Sequence, residues 1–411
     1  MTNSAGPGGA RPSLLPPAFP TVFAQPQVAH GASIPQARVS PEPVPLPTSA
    51  AALPRAGRTA PLWIAALLVL ILIALFGYFL NALGPAASLI GGVAALIPLV
   101  GVLFAIRLID RWEPEPRGLL VLAVAWGAIA SVGIALGVDL MLGFLFGFDS
   151  TPLGDALSAV VQAPVVEEVA KGLGVLLIFL TARRAFDGPV DGIVYGALVG
   201  AGFAFTENIQ YFGIGFIEGG VADVSQIFFL RGILSPFAHV MFTSVIGFAL
   251  GLAARRSGRV RDAVGPFLIG LAGAILLHAF WNGSAVFGDF FGLYLTLQVP
   301  LFILFILGIL GLRREEARLT RERLSDYATA GWFTSQEVDM LATGSGRRAA
   351  LAWAAGLRGD RTATMKGFIH DATALAATRQ RSITGRDPRA AEDEHVLLAR
   401  VTAARAALFA P

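Results

Sequence analysis

The fold of this chain is decided by PLWIAALLVLILIALFGYFLN, residues 61–81, a run of 21 residues without a single charge. About 20 apolar residues, each rising ~1.5 Å along a helix, span the roughly 30 Å of hydrocarbon in a bilayer. Runs of the same kind recur at about 86–106, 118–146, 153–181, 190–216, 227–254, 264–287 and 291–312. The pattern predicts an all-α protein: a polytopic membrane helix bundle of about eight transmembrane helices, with a small helical tail on the cytoplasmic side. Composition agrees. The 411 residues are 55% hydrophobic and 14% charged, against about 25% charged in an ordinary soluble domain.

The distribution of arginine orients the bundle. Arg55 and Arg58 precede the first run, and Arg107, Arg111 and Arg117 lie between the second and third. Arg183 and Arg184 follow the fourth, Arg255, Arg256, Arg259 and Arg261 follow the sixth, and Arg313 and Arg314 follow the eighth. The intervening loops, near 82–85, 147–152, 217–226 and 288–290, contain no Lys or Arg. Eight spans with both termini cytoplasmic satisfy the positive-inside rule at every loop. The formal charge of +3 comes from these segment ends rather than from a basic face, which argues against a nucleic-acid partner. The chain has no cysteine, so disulfides, thiol nucleophiles and Cys-ligated metal sites are excluded.

Three regions follow. Residues 1–60 hold 12 of the 25 prolines and are expected to form a disordered, Pro-rich cytoplasmic tail. They place the first apolar run too far in for a cleavable signal peptide. Residues 61–312 form the membrane domain. Residues 313–411, polar and rich in Arg, Ala and Glu, form a cytoplasmic appendage with helical stretches at 315–330, 347–357 and 390–408.

Ionisable side chains inside spans cost about 2.5–3.5 kcal/mol each on insertion scales, so each needs a reason. The fourth run carries Glu167, Glu168 and Lys171, and the fifth carries Glu207 and Asn208. His239 lies in the sixth, and His278 and Asn282 in the seventh. Adjacent spans run in opposite directions, so depth is counted from the outer boundary each time. The four positions Glu167, Glu207, His239 and His278 then fall within roughly 14–21 Å of the outer surface at ~1.5 Å per residue. Four spans thus bring ionisable groups to one layer. Glu167 and Lys171 share a helix face at i,i+4, whereas Glu168 points about 100° away. His278 and Asn282 are again i,i+4. Gly192, Gly196 and Gly200 form a small-xxx-small stripe that allows close helix packing.

Several chemistries use these residue types. A carboxylate beside a histidine activates water as a general base, and a His/Asn pair can donate to an oxyanion. Glu167, His239 and His278 can equally hold Zn2+, as His2Glu with an open position. A proton or ion path uses the same buried carboxylates, so a proton- or ion-coupled transporter is the alternative function. A non-catalytic scaffold is a third. No His-Glu-x-x-His occurs, and the only Gly-Ser-Gly, at 344–346, lies in the polar tail. These absences argue against zincin and rhomboid-type peptidases.

The ordered set resembles the PrsW family of bacterial intramembrane proteases, itself distantly similar to CAAX-processing membrane proteases. The marks are Asp110-Arg111-Trp112-Glu113-Pro114-Glu115-Pro116, Glu167-Glu168-x-x-Lys171, Phe203-x-x-x-Glu207-Asn208, His239 with Gly247 and Gly251, and His278-x-x-x-Asn282. They lie within about residues 62–312. The resemblance implies an intramembrane endopeptidase of the bacterial plasma membrane that cleaves a membrane-anchored protein such as an anti-sigma factor. It implies a catalytic set of Glu167, Glu168, Glu207, His239, His278 and Asn282. On the mechanism of the more distant group, Glu167 would activate water while His278 and Asn282 stabilise the oxyanion. That group carries a His where this chain has Glu207, and His239 is the replacement expected. The partners implied are the membrane-anchored substrate and the lipid bilayer, with no nucleic acid.

Overall fold

A computed structural model of the chain describes residues 59–146, 151–256, 259–385, 387 and 389–410. Residues 1–58 of the expected Pro-rich tail, with Arg55 and Arg58, lie outside the described residues, as do 147–150 and 257–258. Every regular element among the described residues is helical. The membrane part comprises α1 (Thr59–Ala82), α2 (Gly84–Ile109), α3 (Arg117–Phe146) and α4 (152–181). It continues with α5 (Pro189–Phe228), α6 (Ala238–Arg256), α7 (Val264–Phe287) and α8 (Phe290–Thr329). Four shorter helices follow: α9 (Ser335–Leu341), α10 (Gly344–Ala355), α11 (Thr362–Ile383) and α12 (Ala390–Leu408). The chain divides into two compact units, Gly57–Arg314 and one that includes Glu315–Pro411.

The protein is a multi-pass membrane protein, and its apolar helices show how the passes are counted. Six stretches are long and apolar enough to cross a membrane: Trp63–Ala82, α2, α3, Pro189–Arg256, Val260–Phe287 and α8. The Pro189–Arg256 stretch is 68 residues long and holds both α5 and α6. α4 falls outside the set and carries Glu167, Glu168 and Lys171. Among the described residues, length and composition give six candidate spans, not the expected eight.

α5 is the centre of the membrane unit and is buried along most of its length from Pro189 to Gly215. Small residues let its neighbours approach at backbone distance. Gly91 of α2 lies against Ile209 and Gly213, and Gly127 of α3 lies against Val199. On the other side Gly192, Gly196 and Gly200 meet Gly247, Thr243 and His239 of α6 in turn, an antiparallel pairing. The glycine stripe therefore does more than permit packing. It presses the backbone at His239 onto Gly200.

The structure corrects the sixth predicted span, 227–254. α5 is interrupted at Gly220, whose φ of 64° is left-handed, and the chain folds back so that Ile227 lies against Gly215. It then passes through a wide π-type turn, Phe229–Leu234, and α6 begins only at Ala238, after Pro236. Proline has no N–H for a helix interior, which sets that start. Arg231 consequently lies alongside α5, where it meets Glu207 and Asn208.

Three similar wide turns interrupt other helices: Trp126–Ser131 in α3, Ser158–Gln162 in α4 and Tyr294–Gln298 in α8. A π-turn takes its carbonyls out of the regular ladder, and such turns favour functional sites. Here three of them offer a carbonyl to a side chain from another helix. Thr206 donates to Ala128 O (2.7 Å), Asn282 to Ala159 O (2.8 Å), and Tyr294 to Leu234 O (2.8 Å). Inside a bilayer no water would satisfy those groups, so they are recruited as cross-links between helices.

The second unit packs α9–α12 and the end of α8 around Leu324, Tyr327, Leu341, Phe368, Leu375 and Leu398. A capping box, Thr334 with Glu337, starts α9. Glu337 also receives Arg405 through two bonds of 2.8 and 3.0 Å, and Tyr327 donates to Glu394 at 2.5 Å. The helical stretches expected at 347–357 and 390–408 are joined by two more, α9 and α11, which the sequence reading did not separate.

Opposite the outer loops, the 110–116 loop is tied to α5. Asp110 accepts the Glu115 backbone N–H (3.1 Å), and the Tyr195 hydroxyl donates to Glu115 Oε2 (2.5 Å). Burial, reinforced by the nearby Asp191 carboxylate, pushes the Glu115 carboxyl up to about 11. Glu115 is thus protonated at neutral pH, and the tie is a neutral one.

Two outcomes are expected. A Cβ at Gly200 would collide with the backbone of His239 and Val240, whereas nothing lies within 4 Å of one at Gly137. Gly200→Val should lower unfolding stability in detergent by about 1–3 kcal/mol, as overpacking does, and Gly137→Ala should not. For Glu115, the unfolded chain loses its proton near 4.5, the ordinary value for a glutamate, while the fold keeps it up to about 11. That contribution is complete at acid pH and declines as pH rises between these values. Unfolding midpoints measured from pH ~5 to ~9 should therefore fall more steeply for the wild type than for Glu115→Gln, which has no proton to lose.

Candidate active site

Five of the six residues singled out from the sequence meet in one cluster, and its hub is Lys171. The Lys171 ammonium is fully buried and donates to Glu168 Oε1 at 2.8 Å and to Glu167 Oε2 at 3.1 Å. Its third partner is His239 Nδ1 at 3.1 Å, and it lies over the Phe203 ring, 3.7 Å from the centroid. Glu167, Glu168 and Lys171 come from one turn and a half of α4. Phe203 and Glu207 come from α5, His239 from α6, and His278 from α7.

Each imidazole is oriented by these bonds. An ammonium has only donors, so His239 Nδ1 accepts from Lys171, and its proton resides on Nε2. Nε2 then donates to Glu207 Oε2 at 2.9 Å. His278 is held the other way: Nδ1 donates to Glu168 Oε1 at 3.1 Å, which leaves the Nε2 lone pair facing Glu167 Oε2 at 3.9 Å. Phe242 stacks on His278 with 5.0 Å between centroids, and the two histidine rings meet edge to face at 4.9 Å.

The three carboxylates differ in what remains free. Glu168 is 0% exposed and uses both oxygens, the second accepting from Thr243 at 3.0 Å. Glu207 is gripped by Arg231, whose guanidinium also donates to Asn208 Oδ1 at 2.7 Å and lies over the Tyr211 ring at 3.9 Å. Glu167 is 13% exposed at its side chain and bonds only through Oε2. With neutral imidazoles the set has three negative and two positive groups, so it is short of one positive charge.

Asn282 is the residue that does not join. Its amide nitrogen is spent on Ala159 O in the wide turn of α4, so it braces α7 against α4 instead of pairing with His278. Two contributors escaped the sequence reading. Thr243 looks like an ordinary small helix residue, and nothing in its spacing marks it. Arg231 carried a signal, since an arginine four residues inside a predicted span is itself an anomaly.

Glu167, His239 and His278 each offer a donor atom, all within 4.8 Å of one another. This matches the His2Glu donor set of catalytic zinc sites. The Glu168–His278 bond is the carboxylate–histidine contact that orients such ligands, and the missing positive charge favours a cation. The residues therefore fit a metal. For His239 to ligate through Nε2, its bond to Glu207 must be given up and its proton must move to Nδ1, which ends its acceptance from Lys171.

The cluster is a polar centre of carboxylates and imidazoles walled by apolar helices, with Glu167 and Glu207 partly accessible. Residues 115–306 match the sequence model of the PrsW family, described as intramembrane metalloproteases. A protein from Oceanobacillus iheyensis called Protease PrsW is 27% identical over 222 residues, 54% of this chain and 94% of its own length. Proteins of the same name from Clostridioides difficile and Geobacillus kaustophilus are 34% and 29% identical over 154 and 160 residues. Those two matches cover 38% and 39% of this chain, and 62% and 65% of the relatives, less than two thirds of either. No solved structure matches the chain.

The Arg231–Glu207 pair makes a measurable claim. Arg231→Met should destabilise the protein, and adding Glu207→Gln should restore part of the loss. The double-mutant cycle in unfolding free energy is expected to give a coupling of about 0.5–3 kcal/mol; independent effects would show that the two side chains do not interact.

Proposed function

We propose that this protein hydrolyses a peptide bond within or beside the membrane in a membrane-anchored protein, in the bacterial plasma membrane with both its termini cytoplasmic. A regulator such as an anti-sigma factor is the substrate class that the family resemblance suggests. The observation carrying the reading is the division of labour among the carboxylates. Glu168 is consumed in orienting His278, and Glu167 belongs with His239 and His278 to the donor set for a metal, which we take to be Zn2+. Glu207 remains.

Bound zinc would polarise the scissile carbonyl and lower the pKa of water. Glu207, steered by Arg231 and next to His239, is placed to take the proton from the attacking water and pass it to the leaving amine. Lys171 keeps Glu167 and His239 apart from bulk solvent and in register, while Glu168 fixes the His278 tautomer. Asn282 is supported as a brace, because one N–H of its amide holds Ala159 O of α4. The wall of Phe203, Phe242 and neighbouring apolar residues leaves accessible edges at Glu167 and Glu207. A transporter would use the same charges, but the interlocked Lys171 hub leaves no chain of free groups from one side to the other.

Elemental analysis and cleavage together test the assignment. Glu207→Gln should retain one zinc per chain yet lose cleavage of a membrane-anchored substrate by at least ~100-fold, the lower range for a general base. Glu167→Gln and His278→Ala should lose both metal and cleavage. Full cleavage by Glu207→Gln would refute its role, and zinc undiminished in Glu167→Gln and His278→Ala would refute the ligand set.

A further inference from the structure

Beside the two histidines lies a cavity of about 40 Å³ that the catalytic cluster does not use. Its walls include Phe237 and Met241 from the start of α6, Trp281 from α7, and Tyr294, Gln298 and Phe302 from α8. Ala238, also in the wall, precedes His239, and Trp281 follows His278 by less than one helical turn. The Phe242 ring lies 5.0 Å from His278 and 6.4 Å from Trp281 between centroids, which links the cavity wall to the imidazole. The space exceeds that of one water molecule.

One polar group in this apolar wall is unfulfilled. Gln298 is 3% exposed, and its Oε1 has no hydrogen-bond partner. Gln298 Nε2 donates to Ser284 Oγ at 2.6 Å, and the Ser284 hydroxyl donates to Trp281 O at 2.7 Å. Gln298 occupies the last position of the wide turn Tyr294–Gln298. Tyr294 at its other end bonds Leu234 O (2.8 Å) and so fixes the turn to the segment before α6. A buried acceptor without a partner is unfavourable unless a donor arrives. A substrate helix must unwind to expose its scissile bond, and unwinding frees backbone N–H groups.

We propose that this cavity is a substrate subsite adjoining the scissile bond: it takes a small aliphatic side chain, while Gln298 Oε1 accepts a backbone N–H of the same segment. The assignment rests on the hydrolase reading above. The Phe237 and Phe302 rings stack at 5.3 Å and limit the depth, so the site selects by size. Met241, a flexible side chain on the wall, sets that size.

The test uses the full chain in detergent micelles and synthetic membrane-spanning Ala/Leu peptides. One position of each peptide is varied among Gly, Ala, Val, Leu and Phe. Cut sites are read by mass spectrometry, and binding is measured with the Glu207→Gln variant. The wild type should cleave next to Ala or Val at least ~10-fold better than next to Phe, the range set by methylene-scale pocket contacts. Met241→Ala should shift the preference toward Leu and Phe. Gln298→Leu should weaken all peptides alike, about 3–10-fold in kcat/KM, since it removes a backbone contact. Cleavage whose preferences ignore Met241, or rates that ignore Gln298, would overturn the subsite and leave the hydrolase reading intact. Peptides bound with the expected preference but never cleaved would overturn the hydrolase reading and retain the subsite. Neither binding nor cleavage would overturn both.

Discussion

Everything at the centre of this molecule depends on one buried ammonium. Lys171 makes contact with two glutamates of its own helix and one histidine of another, and an aromatic ring covers it. Removing such a cation would strand two carboxylates in an apolar interior, where unpaired charge is among the most costly defects a fold can carry. The hub also sets chemistry. By donating to His239 Nδ1 it dictates which nitrogen of that ring holds the proton. By engaging Glu168 it helps fix the carboxylate that in turn orients His278. The same contact therefore serves folding and tautomer selection.

The surrounding helices are arranged to keep the hub in place without water. Glycines on α5 bring α6 to backbone contact, so that the position of His239 follows from the absence of side chains at Gly196 and Gly200. Wide turns in α3, α4 and the α5–α6 connection release carbonyls that Thr206, Asn282 and Tyr294 capture from other helices. A regular helix satisfies its own backbone and offers its neighbours only side chains. An interrupted one offers backbone acceptors too, and in a medium without water these become directional links. The turn that ends at Gln298 departs from this pattern, because there the unfulfilled group is a side-chain acceptor facing a cavity.

The sequence reading and the structure part company at identifiable residues. Arg231 lies among apolar neighbours, and only the fold-back at Gly220 shows that its partners are Glu207 and Asn208 of α5. Asn282 shares a helix face with His278, yet helical spacing fixes direction and not distance, and its amide meets Ala159 O of α4. Thr243 completes the shell of Glu168 from a helix that is remote in sequence. Such partners are set by which helices adjoin, and no periodicity records that.

What the sequence determined by itself was the material and the inventory: apolar runs of membrane length, and a handful of ionisable residues at one depth. Bilayer thickness and the cost of buried charge impose those features residue by residue, so they are legible in order along the chain. The tertiary structure alone decided the roles. Glu168 and Glu167 are neighbours in sequence, yet one is locked by three partners and the other is left accessible. That difference arises because α6 and α7 supply Thr243 and His278 on one side of α4 only, through contacts that exist once the helices have packed.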